Sequence, residues 1–248
     1  MCARVRLVTD YSELKIKFWI KANATAPNLR PSWNLAPTDP LTVIVLDGSG
    51  ERMVATMRWG LIPSLSRDEK LAFSTFNARA EGLETKATFR DAWNAGRRCL
   101  VVTNGFYEWD KRVGVRQPYS IARTNDEHTV MAGLWEEWTS PKGERIKTVT
   151  IITCEANSLI KRLHDRMPVI LAEEDWPKWL GEAPTSEAEL KAMLKPYPAE
   201  LMNLWPVDKK VGNVRNNGPE LIRPVALTLP EQSDLLALFD DKGPKLDS

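Results

Sequence analysis

From Leu41 onward, apolar residues occur in short runs that favour β-strands. β-Branched and aromatic residues dominate these runs, and Gly, Asp, Pro and Ser separate them. The predicted strands are a short segment before residue 9, then Leu41–Leu46, Met53–Leu61, Arg98–Trp109, Tyr119–Ala122, Thr129–Trp138 and Ile146–Thr153. The sequences Asp-Gly-Ser-Gly at 47–50 and Ser-Pro-Lys-Gly at 140–143 are typical of hairpin loops.

Shorter helical segments are predicted between and after these strands. Asp10 and Glu13 have capping-box spacing at the start of residues 9–22, and Ser186 and Glu189 have the same spacing in front of a helix that must stop at Pro196. Further helical turns are predicted at 88–94, after residue 156 and at 174–180. The helices do not alternate strictly with the strands, so the pattern predicts peripheral helices around a sheet.

This arrangement predicts an α+β fold with a mainly antiparallel, barrel-like sheet. The 248 residues, 43% apolar, are enough for one substantial core, and we expect a single domain over residues 1–233. Residues 234–248 are polar and rich in helix breakers, and are expected to form a loose tail.

Charge and cysteine content narrow the function classes. A net charge of +1 does not indicate a strongly basic nucleic-acid binder, so any DNA contact must come from a local cluster of Arg and Lys. Three cysteines in unrelated contexts indicate reduced thiols and a cytoplasmic protein, and no apolar run is long enough to span a bilayer. Neither of the two histidines has metal-ligand spacing with a cysteine, so we expect no metal and no cofactor.

Cys2 is the residue with the most distinctive chemistry. An initiator Met before a small side chain is normally removed, and removal would leave an α-amine and a thiol on the same residue. An α-amine has a pKa of roughly 7.7–8.0, so an appreciable fraction can attack an aldehyde to form an imine. The thiol can then close a five-membered thiazolidine. A cysteine at position 2 by chance is the alternative.

Two polar motifs are candidates for assisting such a reaction. Asn77 and Arg79 would point to the same side of an extended segment, where the amide can orient a nucleophile and the guanidinium can hold a phosphate. Alternatively, Asn77 caps a following helix and Arg79 is a solvated charge. Glu108 lies between Tyr107 and Trp109, surroundings that suit a carboxylate for proton transfer near neutral pH; the alternative is an outward-facing residue on an alternating strand.

Two further segments carry candidate residues. His164 and Arg166 precede an apolar run, where the histidine can act as acid or base and the arginine can bind phosphate oxygens. A structural role for His164 is the alternative. Trp59 can supply an aromatic platform for an unstacked base, although core packing is the commoner role of tryptophan.

The order of these motifs resembles the SRAP family (SOS response-associated peptidase), a family of DNA-damage proteins. The resemblance covers roughly residues 1–217 and depends on several motifs together. They are Met1-Cys2-Ala3-Arg4, Asn34-Leu35-Ala36-Pro37, Arg58-Trp59-Gly60-Leu61-Ile62-Pro63, Phe76-Asn77-Ala78-Arg79-Ala80-Glu81, Arg98-Cys99-Leu100, Gly105-Phe106-Tyr107-Glu108-Trp109, Ala132-Gly133-Leu134-Trp135 and His164-Asp165-Arg166-Met167-Pro168-Val169.

The resemblance implies a protein that recognises abasic sites in single-stranded DNA and links to them covalently through Cys2 as a thiazolidine. It implies that Asn77 holds Cys2 in position, that Glu108 transfers protons, and that His164 acts in acid–base steps, including strand cleavage of the AP-lyase type. The residues that the resemblance implies for DNA binding are Arg4, Pro37, Trp59, Arg79 and Arg166. We expect a monomer without membrane association, nucleoid-associated when bound to DNA, and the sequence identifies no protein partner.

Two other functions remain open at this point. Cys2 can be the nucleophile of a thiol peptidase, activated by His164 or Glu108 and acting on its own N-terminus or on other proteins. A non-catalytic reader of modified bases would need the DNA groove but not Cys2.

Overall fold

The structure, a computed structural model, describes residues 2–21, 27–110, 116–125 and 127–227. The strands in these ranges are β1 (Val5–Leu7), β2 (Ser32–Leu35), β3 (Pro40–Leu46), β4 (Arg52–Trp59), β5 (Asn77–Arg79), β6 (Arg98–Thr103), β7 (Gly105–Asp110), β8 (Gln117–Arg123), β9 (Thr129–Thr139), β10 (Arg145–Glu155), β11 (Arg166–Pro168) and β12 (Met202–Pro206). The α-helices are α1 (Tyr11–Lys17), α2 (Arg90–Asn94), α3 (Trp176–Leu180) and α4 (Glu187–Met193). The predicted tail at 234–248, and residue 233 at the predicted domain end, lie outside the described residues.

Five strands close into a mixed barrel. The ring runs β10–β4–β3–β6–β9 and back to β10, and its one parallel contact pairs β4 with β10. Two short strands pair with β10 near its C-terminal end. β5 pairs with it in parallel, and β11 pairs with it antiparallel. The end of β10 therefore brings together segments that are far apart in the sequence.

A second sheet packs beside the barrel in the order β12–β8–β7–β1–β2, with every neighbouring pair antiparallel. The side chains of Val5 and Leu7 on β1 belong to the main core, whereas Tyr107 on β7 belongs to a small separate cluster with Val207 and Leu221. The prediction of a single α+β domain with a barrel-like, mainly antiparallel sheet is confirmed.

Local signals placed most of the elements correctly. Asp10 caps α1 and accepts a hydrogen bond from the Glu13 backbone N–H at 2.9 Å, and Ser186 and Glu189 form the reciprocal capping box of α4. Both predicted hairpin loops join antiparallel strands. The short strands β2 and β12 have no strong alternation and were not predicted. None of the helices in the described part of the chain combines the length and apolarity needed to cross a membrane.

One predicted strand was wrong in its extent. Residues 98–109 form two strands, not one, and the chain breaks between them at Asn104 and Gly105. Gly105 has φ 141°, and a Cβ there would lie 2.4 Å from the Ile121 carbonyl oxygen and 2.6 Å from Arg6 Nη2. Only glycine allows this close approach, which turns the chain out of the barrel and into the second sheet.

Substituting Gly105 by alanine should destabilise the fold by about 3–5 kcal/mol, because a strained φ and a clash with backbone act together. The matched control is Gly143→Ala, which also has positive φ (84°) but nothing within 4 Å of the added Cβ. That control should cost only about 1–2 kcal/mol. Urea unfolding of both variants measures the difference, and equal losses would contradict the steric explanation.

Candidate functional site

Cys2 is fully buried and is hydrogen-bonded to a side chain of β5. The Asn77 side chain donates from Nδ2 to the Cys2 carbonyl oxygen at 2.7 Å, across 75 residues of sequence. A carbonyl oxygen can only accept, so this bond fixes which end of the amide faces Cys2. The other end, Asn77 Oδ1, is buried and has no hydrogen-bond partner among the residues that the structure describes. Asn77 therefore fixes the Cys2 backbone and keeps a buried acceptor unsatisfied.

Asn77 owes its position to β5. Its backbone is paired with Ile151 of β10, and the chain continues in extended form through Arg79. Ala78 is buried on the opposite side, so Asn77 and Arg79 share a face, as the sequence predicted. The alternative in which Asn77 caps a helix is wrong.

Glu108 is the second polar residue beside Cys2. It lies on β7 next to β1, and its side chain is only 4% exposed. The alternative of an outward-facing residue is therefore wrong. The negative charge of Glu108 acts on the Cys2 thiol, which places a carboxylate within electrostatic range of the sulfur.

The thiol itself is held in its neutral form. Burial, and next the charge of Glu108, raise the pKa of Cys2 to about 12. Both effects disfavour the thiolate, since neither low polarity nor a neighbouring carboxylate stabilises negative charge on sulfur. A proton must therefore leave the thiol during any reaction in which the sulfur attacks.

This suppressed ionisation leads to a prediction about Cys2 reactivity. At pH 7.5 the folded protein should react with iodoacetamide at Cys2 about a thousandfold more slowly than the urea-unfolded chain, because the thiolate is that much rarer. The rate should rise about tenfold per pH unit as the pH increases towards the folded pKa. Peptide mass spectrometry resolves Cys2 from Cys99 and Cys154, and folded and unfolded rates within tenfold of each other would contradict the prediction.

His164 and Arg166 lie at the start of β11, on the other side of β10 from β5. The Arg166 backbone N–H donates to His164 Nδ1 at 2.9 Å. Because Nδ1 is the acceptor, a neutral ring carries its proton on Nε2. His164 is half-buried, so part of its side chain faces solvent.

The Arg166 side chain is already engaged. Its guanidinium forms a two-pronged ion pair with Glu81, both distances 2.8 Å, and also donates to the Thr153 carbonyl oxygen at 2.5 Å. The hydrogen bond from Arg166, with a smaller contribution from Arg79, holds the pKa of Glu81 below its ordinary value. Sequence reasoning missed Glu81 as a functional neighbour, although its two-residue spacing from Arg79 was a usable signal.

Arg4 joins the N-terminal segment to a distant loop. Its Nη1 donates to Asn34 Oδ1 at 2.8 Å and to the Val211 carbonyl oxygen at 2.6 Å, and its guanidinium lies 5.6 Å from the centre of the Trp109 ring. Asn34 in turn donates to the carbonyl oxygens of the 211–216 segment. Sequence reasoning missed this role of Asn34, which no local pattern indicates.

Trp59 is not exposed as the aromatic platform that the sequence predicted. Its ring is fully buried and Nε1 donates to the Phe76 carbonyl oxygen at 2.8 Å, immediately before Asn77. A ring with no exposed face cannot stack on a base, so its platform role is corrected to packing that positions β5. Pro37 is half-buried in the turn between β2 and β3.

The residues thus fall into two groups. The first group is largely buried and consists of Cys2, Asn77 and Glu108. The second is a more exposed polar group at the end of β10, which consists of Arg79, Glu81, His164 and Arg166. Within the described ranges, no cluster of three or more His, Cys, Asp or Glu side chains is arranged to hold a metal ion.

Comparison with known proteins gives consistent results. The sequence model of the family described as SOS response associated peptidase (SRAP) matches residues 1–214. The chain is similar to abasic site processing protein YoqW of Bacillus subtilis, with 38% identity over 90% of this chain and 99% of the relative. It is also similar to abasic site processing protein HMCES of Gallus gallus, with 35% identity over 82% of this chain and 69% of the relative.

The fold has solved counterparts. A crystal structure of a protein from Bacteroides thetaiotaomicron superposes with a TM-score of 0.79 and 25% identity, covering 91% of this chain and all of that one. A second, from Bordetella bronchiseptica, gives a TM-score of 0.72 and 29% identity over 84% of this chain and all of that one. With the family match spanning most of the sequence, the chain belongs to the SOS response associated peptidase (SRAP) family.

Proposed function

We propose that this protein processes abasic sites in single-stranded DNA by forming a covalent thiazolidine through Cys2 once Met1 has been removed. The observation that carries the proposal is the hydrogen bond of 2.7 Å from Asn77 Nδ2 to the Cys2 carbonyl oxygen. This bond holds Cys2 in a buried position within electrostatic range of the Glu108 carboxylate. The relatives named as abasic site processing proteins support the same substrate.

The reaction needs no external co-reactant. The ring-opened sugar of an abasic site presents an aldehyde, and the α-amine of Cys2 attacks its carbon to give a carbinolamine. Uptake of one proton and loss of water yield a protonated imine. The sulfur then bonds to the imine carbon, the C=N electron pair returns to nitrogen, and the thiol proton leaves. The sum is aldehyde plus aminothiol giving thiazolidine plus water.

Glu108 would receive that proton. Because burial and the charge of Glu108 raise the pKa of the Cys2 thiol, its proton leaves most readily when a base accepts it as the C–S bond forms. A buried carboxylate also stabilises the positive charge of the protonated imine, since the low dielectric strengthens the attraction. Both contributions favour ring closure over hydrolysis of the imine.

Asn77 supplies orientation. Its Nδ2 fixes the Cys2 carbonyl, and its unsatisfied Oδ1 is an acceptor for an N–H of the new α-amine. Accepting that bond directs the nitrogen lone pair away from the amide and towards the incoming aldehyde. This role would account for the buried Asn77 Oδ1, since a buried acceptor without a hydrogen bond otherwise only destabilises the fold.

His164 acts on the DNA side. Its backbone neighbour Arg166 donates to Nδ1 and keeps the ring beside the end of β10, where the imidazole would contact a phosphate or sugar oxygen of the bound strand. The same group can assist β-elimination of the strand when the imine persists, which is the proposed secondary AP-lyase activity.

The DNA backbone would be held by Arg4, Pro37, Arg79 and Arg166. Arg79 is exposed, whereas Arg4 and Arg166 are already hydrogen-bonded within the protein. Arg79 is therefore the residue most able to change phosphate contacts without disturbing the fold.

Substituting Arg79 by glutamine should weaken binding of single-stranded DNA and reduce the slope of log affinity against log salt by about 0.7, the value for one lost phosphate contact. Fluorescence anisotropy at several salt concentrations measures the slope. Arg145→Gln removes an exposed arginine that pairs with Glu137 at the other end of β10 and should leave the slope unchanged. An unchanged slope in the Arg79 variant contradicts its assignment.

The peptidase function receives less support. A thiol peptidase needs a readily formed thiolate, beside a cationic or hydrogen-bond donor group. Burial and the charge of Glu108 instead raise the pKa of Cys2, which disfavours the thiolate.

The decisive test uses the full chain, with loss of Met1 verified by intact mass, and a single-stranded oligonucleotide with one abasic site. We expect a heat-stable, reductant-independent shift on a denaturing gel. A version with one extra residue before Cys2 blocks the amine and should give no shift. If folded, processed protein gives no adduct, the proposal is wrong.

A further inference from the structure

A buried arginine, Arg6, lies on the face of β1 opposite the main core. Val5 and Leu7 on either side of it pack into the core, while Arg6 points to the smaller aromatic cluster. Its side chain is 4% exposed, and the guanidinium lies 5.6 Å from the centre of the Tyr107 ring and 5.7 Å from that of Trp205. None of the steps proposed for Cys2 uses this residue.

Arg6 has no counter-ion in the described part of the chain. Its hydrogen-bonding side-chain partners there are neutral: Nη1 donates to Ser120 Oγ at 2.8 Å, and Tyr107 provides a second hydrogen bond. A guanidinium has five N–H donors, so donors remain. Burial lowers the pKa of Arg6, and a buried cation without an opposite charge is costly for the fold.

The guanidinium borders a cavity of about 230 Å³. The remaining walls are mostly apolar and include Trp33, Ala122, Trp205 and Ile222. An apolar cavity of roughly 150 Å³ accommodates benzene, so this one has room for a benzene ring with a small substituent.

The other polar groups of the cavity are already paired. Asn104 accepts from the Val8 N–H at 2.7 Å and donates to Thr9 Oγ1 at 3.0 Å. The Glu127 carboxylate lies 2.9 Å from Arg123 and 3.7 Å from Lys17. Arg6 is thus the wall residue with charge and donors to offer a ligand.

We propose that this cavity binds a small aromatic carboxylate, with the carboxylate on Arg6 and the ring against the side chains of Trp33 and Trp205. A carboxylate matches the planar guanidinium and supplies the missing negative charge. A flat apolar ring matches the indole-rich walls better than a hydrated inorganic anion does. The inference does not depend on the function proposed for Cys2, so either can fail alone.

Ligand-observed NMR titration of the full chain with benzoate tests the site. Benzoate should bind with saturation, benzamide should bind at least about tenfold more weakly because it lacks the charge, and inorganic phosphate should not compete. Lack of benzoate binding up to about 10 mM overturns the proposal. Equal binding of benzamide, or competition by phosphate, also overturns it.

Two variants localise the binding. Arg6→Met keeps the aliphatic stem but removes the charge, and should weaken benzoate binding by about tenfold or more. Ala122→Leu fills the cavity and should abolish binding, which keeps the test decisive if the Arg6 variant does not fold. Arg145→Met, an exposed arginine on β10, should bind like the wild type. Full affinity in folded Ala122→Leu protein places the ligand elsewhere and overturns the assignment.

Discussion

Replacing Cys2 by serine is expected to reduce the yield of heat-stable abasic-site adduct by at least about 100-fold, because a hydroxyl is a far poorer nucleophile than a thiol. The variant keeps its α-amine after Met1 removal, so an imine can still form. Borohydride, which reduces an imine to a stable amine, should therefore rescue a covalent product. A denaturing gel with and without borohydride measures both species.

Cys99→Ala is the matched control for this experiment. Cys99 is also fully buried and free, and burial likewise raises its pKa, but it lies in β6 inside the barrel. Its substitution should leave the adduct yield within about twofold of wild type, with a modest loss of stability. A serine variant that forms the same heat-stable adduct without borohydride would falsify the thiazolidine assignment.

Replacing Glu108 by glutamine is expected to slow adduct formation by about 100-fold or more, the usual contribution of a positioned acid–base group. Glutamine preserves the shape of the side chain but cannot accept the thiol proton. It also removes the charge that raises the pKa of Cys2, so the alkylation rate of Cys2 should increase while adduct formation falls. Quenched time courses, followed in parallel with iodoacetamide labelling, separate the two effects.

Glu136→Gln controls for the removal of a buried carboxylate. Glu136 is 4% exposed and pairs with Arg97 at 2.5 Å on the barrel strand β9. That variant should lose stability, because Arg97 loses its partner, but keep the adduct rate of the wild type after correction for folded fraction. A similar slowing in both variants would indicate that Glu108 acts through the fold and not through proton transfer.

The two variants also separate the chemical roles of Cys2 and Glu108 from the positioning of the α-amine. Cys2→Ser removes the closing atom and Glu108→Gln removes the base, yet both leave the Asn77 hydrogen bond to the Cys2 backbone in place. An imine trapped in either variant would show that the amine remains correctly placed.

The sequence by itself determined the features that depend on neighbouring residues. The caps of α1 and α4 close hydrogen bonds over three residues, and the hairpin loops at 47–50 and 140–143 join strands that follow each other directly. The alternation at 77–79 also placed Asn77 and Arg79 on one face correctly. The ordered motifs also indicated the family, which the match over residues 1–214 confirms.

The tertiary structure alone decided which distant groups meet. It paired Asn77 with Cys2 across 75 residues and Arg166 with Glu81 across 85, and it buried the Trp59 ring. It also placed Arg6 beside a cavity with no counter-ion in the described part of the chain. Burial and ion pairing at these positions arise from strand order and barrel closure, which bring residues together irrespective of their separation in the chain. A local pattern can therefore specify a cap or a turn, but the environment of a charged or aromatic side chain is set by segments that the pattern does not contain.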